Sequence, residues 1–248
     1  MRRLMDAQEL LCRYAAGERD FSGVNLRSIP LRQECLVDIN LSNANLSSLS
    51  SSILINANLS GANLRGTNLG GTSFINANLR GANLRKADLV GADLTGADLT
   101  GAKLSYDRRS NTWLIGTNLT DADLTSIQGL EYAVFAYTTM PDGSIVSDPD
   151  RVLDAQELLR RYEAGERDFS TMILHRADLS GVNLQSVDLC GVYFSYVNLR
   201  NATLHGALTA KFIYCDLRDI QLICSSPENG NQPRFTYCDL RRDRKSVV

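Results

Sequence analysis

Between Lys86 and Leu104 the chain reads KADLVGADLTGADLTGAKL, with a leucine at every fifth position, an alanine two residues before each, and an Asp or Lys between them. Neither common element has this period. Five residues on an α-helix advance ~500°, so successive leucines would scatter around the axis and define no apolar face. In a straight strand, residues five apart point to opposite faces in turn. What fits is a short extended piece in which Ala and Leu, two apart, point the same way, followed by a bend before the pattern restarts. The spacing therefore predicts a chain that turns a corner every five residues.

Repeated corners of one hand wind the chain into a coil with every central leucine on its axis. Coils stacked at the ~4.8 Å strand spacing pair their backbones and close a continuous apolar column. The central positions run from Phe21 through Leu26, Leu31, Leu36 and Leu41 to Leu46. After an eight-residue step they run from Leu54 to Leu104, resuming at Leu114, Leu119 and Leu124. A second array runs from Phe169 to Leu204, with the less regular Phe212, Leu217, Leu222, Phe235 and Leu240 after it. On these residues the chain resembles the pentapeptide-repeat family. The resemblance implies an all-β fold, a right-handed quadrilateral β-helix with four five-residue sides per coil, in which the central residue and the small residue two before it face inward.

A longer repeat punctuates the short one. DAQELLCRYAAGERDFS, Asp6 to Ser22, returns as DAQELLRRYEAGERDFS, Asp154 to Ser170. Each copy predicts a short helix with an Asp N-cap, a Glu three residues on that reaches back in a capping box, and a terminating Gly17 or Gly165. Ala7, Leu10, Leu11 and Tyr14, with Ala155, Leu158, Leu159 and Tyr162, give each helix one apolar stripe. That stripe suits the open end of a coil stack, whose unpaired strand groups invite aggregation. The expected organisation is two helix-capped stacks, 1–147 and 148–248, of about five and about three to four coils. The turn signal Pro141-Asp142-Gly143 closes the first.

Composition narrows the function classes. The 248 residues carry 26 basic and 28 acidic side chains, so no global field points to a partner. No apolar run reaches the ~18 residues of a membrane span, and no signal-peptide core is present, so the expected location is the cytoplasm, without membrane contact. The six cysteines show no metal-ligand spacing and read as buried free thiols, Cys215 and Cys238 being inward residues placed to neighbour one another.

No enzyme signature emerges, and no cofactor or metal is expected. His175 and His205 each follow a central leucine, so both point outward, on opposite sides. Asp88, Asp93 and Asp98 fall on three successive sides and make no carboxylate pair; their expected role is corner hydrogen bonding. The glycines precede the inward small residue and are corner residues rather than a phosphate loop. Other solenoid functions fail on period or column composition, since Thr95 stacks between Ile75 and Ile115 instead of joining a threonine array.

The resemblance also implies a specific alternative, because family members mimic duplex DNA as acidic rods that bind DNA gyrase. Here the outward column Asn58, Asn78, Asp98 carries one charge, Asn63 with Asn83 none, and Arg65 with Arg85 is cationic. Only Asp168 with Asp188 stacks two acids. DNA carries a negative charge every ~1.7 Å, so gyrase binding is the secondary reading. The basic tail LRRDRKSVV is read as solvated, and direct nucleic-acid binding is not expected.

The expected function is a non-enzymatic scaffold or protein-interaction module. Breaks in the repeat are the guides to its surface: SSLSSS before Ile53, SYDRRSNTW over 105–113, and ICSSPENGNQPR over 223–234. The second holds Tyr106, Arg108, Arg109 and the only tryptophan, Trp113, residue types that dominate interfaces. These four are the candidate interaction surface, with simple packing of Trp113 against its own coil as the competing reading.

Overall fold

The computed structural model of the protein describes residues 5–27, 29–105, 112–125, 133–207, 209–223, 233–236 and 238–240. It is a right-handed, four-sided parallel β-solenoid, with only two short helices among the described residues. The chain divides into two compact units, 1–147 and 148–248. Unit 1 holds α1 (Ala7–Ala15) and strands β1 (Asn25–Leu26), β2 (Asn45–Leu46), β3 (Asn83–Arg85), β4 (Lys103–Ser105), β5 (Trp113–Ile115), β6 (Val134–Ala136), β7 (Thr138–Thr139) and β8 (Ile145–Val146). Unit 2 opens on β9 (Val152–Leu153) and α2 (Ala155–Glu163). It continues through β10 (Ile173–His175), β11 (Asn183–Leu184), β12 (Tyr193–Ser195), β13 (Thr203–His205), β14 (Lys211–Ile213), β15 (Gln221–Ile223) and β16 (Arg234–Thr236).

The five-residue period becomes structure through one repeated turn. The N–H of the inward small residue donates to the carbonyl of the preceding central residue, as in Ala57 to Leu54 and Ala62 to Leu59. The residue before the donor has positive φ: Asn56 at 58°, Gly61 at 64°. This is the pattern of a type II turn, in which Gly or Asn at the third position avoids the Cβ clash. Where an Asn or Asp precedes the central residue it clasps the strand, its Oδ1 accepting the N–H two residues on, as from Asn58 to Ser60 and from Asp88 to Val90. Asp93 and Asp98 do the same for Thr95 and Thr100, so these carboxylates serve local backbone geometry.

Central leucines fill the axis of unit 1. Leu64, Leu84 and Leu104 lie in one column and are buried, with Leu84 paired to Leu104. Full burial of a leucine is worth about 1.5–3 kcal/mol relative to exposure, and a coil obtains it only when another coil covers it. Threonines take some of the small inward positions without stranding their hydroxyls. Thr72 Oγ1 donates to the Leu49 carbonyl at 2.7 Å and Thr117 Oγ1 to that of Leu94 at 2.7 Å, which removes the cost of a buried unpaired hydroxyl.

Two of the breaks are not insertions. Asn25 pairs with Asn45 twenty residues on, but Asn45 pairs with Asn63 only eighteen on, and Asn63 with Asn83 twenty on. The coil through SSLSSS is short by two residues. Leu49, fully buried and following Ser48 in register with Asn68, is its central residue three positions after Leu46. The break at 105–113 leaves the count unchanged, since Asp93 pairs with Trp113 and Asp98 with Asn118. The sides that flank it keep their register, so it adds no length. The break over 223–234 lies outside the described residues for 224–232, as does the basic tail after Leu240.

Both helices have the same ends. The N-cap carboxylates of Asp6 and Asp154 accept the N–H of Glu9 and Glu157 at 2.7 Å. The reciprocal half of the capping box is replaced by ion pairing: Glu157 holds Arg160 with both oxygens at 2.7 Å, and Glu9 lies 3.9 Å from Arg13. A neighbouring guanidinium offers a charge-assisted partner that an exposed backbone N–H does not match. At the other end Gly17 and Gly165, φ 98°, form full Schellman motifs: Glu18 N–H donates to Arg13 O and Gly17 N–H to Tyr14 O, with the equivalents in α2. Leu10 and Leu158 are fully buried, and Leu11, Tyr14, Leu159 and Tyr162 pack against the core of their own unit.

Unit 1 ends on an antiparallel hairpin, β7 with β8, around Pro141-Asp142-Gly143, where Met140 N–H donates to Ser144 O and Gly143 has φ 82°. In unit 2 the strand before the helix joins the sheet: β9 pairs with β10, and the Ile173 N–H donates to Arg151 O at 2.7 Å. One sheet runs β16-β14-β12-β10-β9 and another β11-β13-β15.

Candidate interaction surface

Of the four residues proposed for recognition, Tyr106, Arg108 and Arg109 lie outside the described residues. Trp113 is the first residue of β5. Its N–H donates to Ala92 O, its carbonyl accepts the Leu94 N–H, and its side chain is half-buried beside the fully buried Ile115. Trp113 is thus built into the coil wall and does not ride on a loop. The stretch it borders still breaks the pattern in sequence, because the five-residue count from Leu104 to Leu114 puts Arg109 where a central leucine belongs.

In unit 1, Asp98 and Asp123 are each paired with an arginine. Asn58, Asn78 and Asp98 stack in register, and Arg80 Nη1 meets Asp98 Oδ2 at 3.0 Å. On the next side Arg85 Nη2 reaches Asp123 Oδ2 at 3.0 Å. Hydrogen bonds from the Thr125 hydroxyl and N–H, with the Arg85 guanidinium, hold the Asp123 carboxyl below the usual range. The Arg65–Arg85 cationic pair read from the sequence is therefore half neutralised, and among the described residues Arg27 and Arg65 of this column have no ion-pair partner. Asp168 does stack on Asp188 in unit 2.

The histidines and the inward cysteines of unit 2 keep the directions read from the sequence, but one of the histidines is covered. His175 points outward from β10, yet it is only 5 % exposed. Its Nδ1 lies 2.8 Å from Ser195 Oγ, and its ring meets Tyr196 edge-on at 5.6 Å. Burial, with the nearby Arg176, lowers its pKa from 6.5 to about 4, so it is neutral at physiological pH. His205 belongs to the other sheet. Cys215 and Cys238 are neighbours in stacked coils and free; their thiols donate to the carbonyls of Phe194 and Phe212. Cys12 and Cys35 are exposed rather than buried, because the one sits on the helix outside its stripe and the other precedes a central residue directly. Among the described residues no group of three His, Cys, Asp or Glu side chains could hold a metal, and no helix is long and apolar enough to cross a membrane.

With this geometry in view, eight copies of the pattern described as pentapeptide repeats match the chain, over 35–81, 72–105 and 173–208. No match was found among curated proteins. Among solved structures, the pentapeptide repeat protein Rfr23 from the cyanobacterium Cyanothece 51142 is 33 % identical, over 52 % of this chain and 99 % of its own, with a TM-score of 0.24. HetL, a pentapeptide repeat protein involved in heterocyst differentiation regulation from Nostoc sp. strain PCC 7120, is 24 % identical over 95 % of this chain and 94 % of its own, at 0.21. QnrB1, a plasmid-mediated fluoroquinolone resistance protein, is 18 % identical over 87 % and 94 %, at 0.28.

Proposed function

The chain belongs to the pentapeptide-repeat family, and from that premise we propose that it acts without catalysis, as a scaffold that presents a side-wall surface to a protein partner. The observation that carries this reading is the break at 105–113. The ladder on either side of it keeps its twenty-residue step, through Asp93 to Trp113 and Lys103 to Asp123. In this uninterrupted frame a Tyr, two Arg and a half-buried Trp stand together in sequence where the repeat calls for a small residue and a leucine. Aromatic and guanidinium side chains dominate interface energies, and recognition on a scaffold concentrates where its repeat changes chemistry.

The acidic, DNA-like reading is the less well supported one. Columns of Asn with a single arginine-paired Asp present little net negative charge. The test is capture of partners from lysate with 1–147 and 148–248 as separate baits, then titration of the recovered partner. Tyr106→Ala with Arg109→Ala should weaken binding about thirtyfold or more, the equivalent of a ~2 kcal/mol anchor, at unchanged melting temperature. Trp113→Ala alone should lower the melting temperature, because it hollows the wall. Equal affinity for the double variant would remove this surface, and recovery of gyrase with inhibited supercoiling would replace the reading with DNA mimicry.

A further inference from the structure

The residues that follow the central leucines of one side of unit 1 are Arg27, Ser47, Arg65 and Arg85, and the register Asn25–Asn45–Asn63–Asn83 stacks them on successive coils. Large and small alternate at the start of this column, and a depression of about 580 Å³ lies there. Ser47 forms part of its floor, its hydroxyl directed down onto the carbonyls of Leu26 and Ile29, each at 3.2 Å. Gly66 opens the adjoining corner: its φ is 67°, and a Cβ built on it would meet nothing within 4 Å. Arg27 stands on one side, Arg65 and Lys86 on the other.

We infer that this depression is a binding site for an oligophosphate anion, a ligand class that the protein-partner reading does not involve. Three cationic side chains and no carboxylate line it. Arg27 and Arg65 are exposed and have no ion-pair partner among the described residues, whereas Arg85 is occupied by Asp123. Two ladder steps of ~4.8 Å separate the stems of Arg27 and Arg65 by roughly 10 Å. A row of phosphoryl groups lies naturally between them, each end meeting a guanidinium fork whose donors match phosphate oxygens. Asn63 Nδ2 donates to Asn45 Oδ1 at 3.0 Å and Asn63 Oδ1 accepts the Arg65 N–H, which holds these amides along the wall, so charge and the shape of the floor lead the recognition. None of the lining residues is aromatic. The site therefore offers no stacking platform for a base, which separates it from a single-stranded nucleic-acid groove. Its size falls within the ~300–1,000 Å³ of small-molecule sites.

The experiment is calorimetric titration of the full chain with inorganic tripolyphosphate, at low and at physiological ionic strength, with ATP and a short single-stranded oligonucleotide as parallel ligands. One site per chain is expected, binding tripolyphosphate and ATP comparably and weakening as salt rises. Arg27→Ser and Arg65→Ser should each cost about tenfold in affinity, and the double variant should abolish binding. Gly66→Asn keeps a residue tolerant of positive φ and changes no charge, but narrows the adjoining corner; it should weaken binding at unchanged melting temperature. Arg80→Ser, on the adjacent side, should bind as wild type. Undiminished affinity in the double variant or in Gly66→Asn, an equal loss in Arg80→Ser, or tighter binding of the oligonucleotide than of tripolyphosphate would each overturn the assignment. An ATP affinity well above that of tripolyphosphate would also do so, by showing that the base is read.

Discussion

The two units begin with the same helix and continue with different interiors. In both caps an Asp closes the N-terminus, a glycine at φ 98° closes the C-terminus, a fully buried leucine anchors the stripe, and an arginine, Arg19 or Arg167, lies over the helix tyrosine. Behind the first cap the axis is filled with leucine almost throughout. Behind the second, Phe194, Phe212 and Phe235 stack in one column at 4.8 and 5.2 Å with nearly parallel rings. Aromatic pairs left to themselves favour offset or edge-on arrangements. Here the separation is that of the strands, so the backbone ladder imposes the ring geometry. The comparison teaches that the cap tolerates little change because it must meet one defined end, whereas the axis accepts any apolar column that repeats at the strand spacing.

The largest expected effect breaks one interior and spares the other. Leu84→Asp places a carboxylate without a partner in the Leu64–Leu84–Leu104 column, a cost comparable to the whole stability of a domain, ~5–15 kcal/mol. Hydrogen exchange should show the amides of unit 1 losing protection while those of β10 and β12 keep theirs. Loss of protection in both would mean that the two interiors fold as one.

A smaller effect, of about 2–5 kcal/mol, tests the caps. Leu10→Ala should destabilise unit 1, and Leu158→Ala unit 2, by similar amounts. A fragment starting at Asp148 should fold, because it retains the Arg151 carbonyl and Leu153 as well as α2; one starting at Ser170 should aggregate. Equal solubility of the two fragments would show that the helices do not seal their stacks.

The smallest effect separates the units by pH. His175 binds a proton near pH 6.5 in the unfolded chain but only near 4 in the fold. Between those values the unfolded state holds more protons, so unit 2 loses stability as the pH falls from 6.5 to 4, by about 3 kcal/mol, and keeps the full contribution above 6.5. Unit 1 contains no histidine. Denaturant titration of the 148–248 fragment should show this slope, and His175→Gln should flatten it; an unchanged slope would place the titration elsewhere.

Much of the fold was legible because its determinants are local. A Leu every five residues, an Asn or Gly before many of the inward small residues, and an Asp before each helix state the turn, the column and the cap directly. What escaped depends on neighbours distant in sequence. Leu49 was hidden because a three-residue step disguises a central position, and that slip also concealed Arg27 as the coil-mate of Arg65. β9 was missed because Val152 and Leu153 become a strand only against Ile173 and Leu174. His175 was read as pointing outward, which it does, but its burial was not legible, because outward and exposed are separate properties once Tyr196 and Ser195 lie against the ring. Glu157 could satisfy a backbone N–H or Arg160, and the spacing alone did not decide between them. The proposed recognition residues were visible as chemistry out of pattern, whereas the anion depression needed the register that sets Ser47 between two arginines.

The eighteen-residue coil has a consequence for how such a chain changes over time. Losing two residues from a strand in a flat sheet would shift every later side chain relative to its partners. Here the loss is absorbed at a single bend between Leu46 and Leu49, and by Ile53, in register with Ser73, the twenty-residue step has returned. The solenoid thus counts sides and not residues, and each corner works as a point where drift in length is corrected before it spreads. A lineage built this way can gain or lose a few residues at any bend without erasing what lies downstream. Variation in such chains should therefore collect at corners in steps that do not divide by five, leaving the columns on the four walls as the most durable record of ancestry.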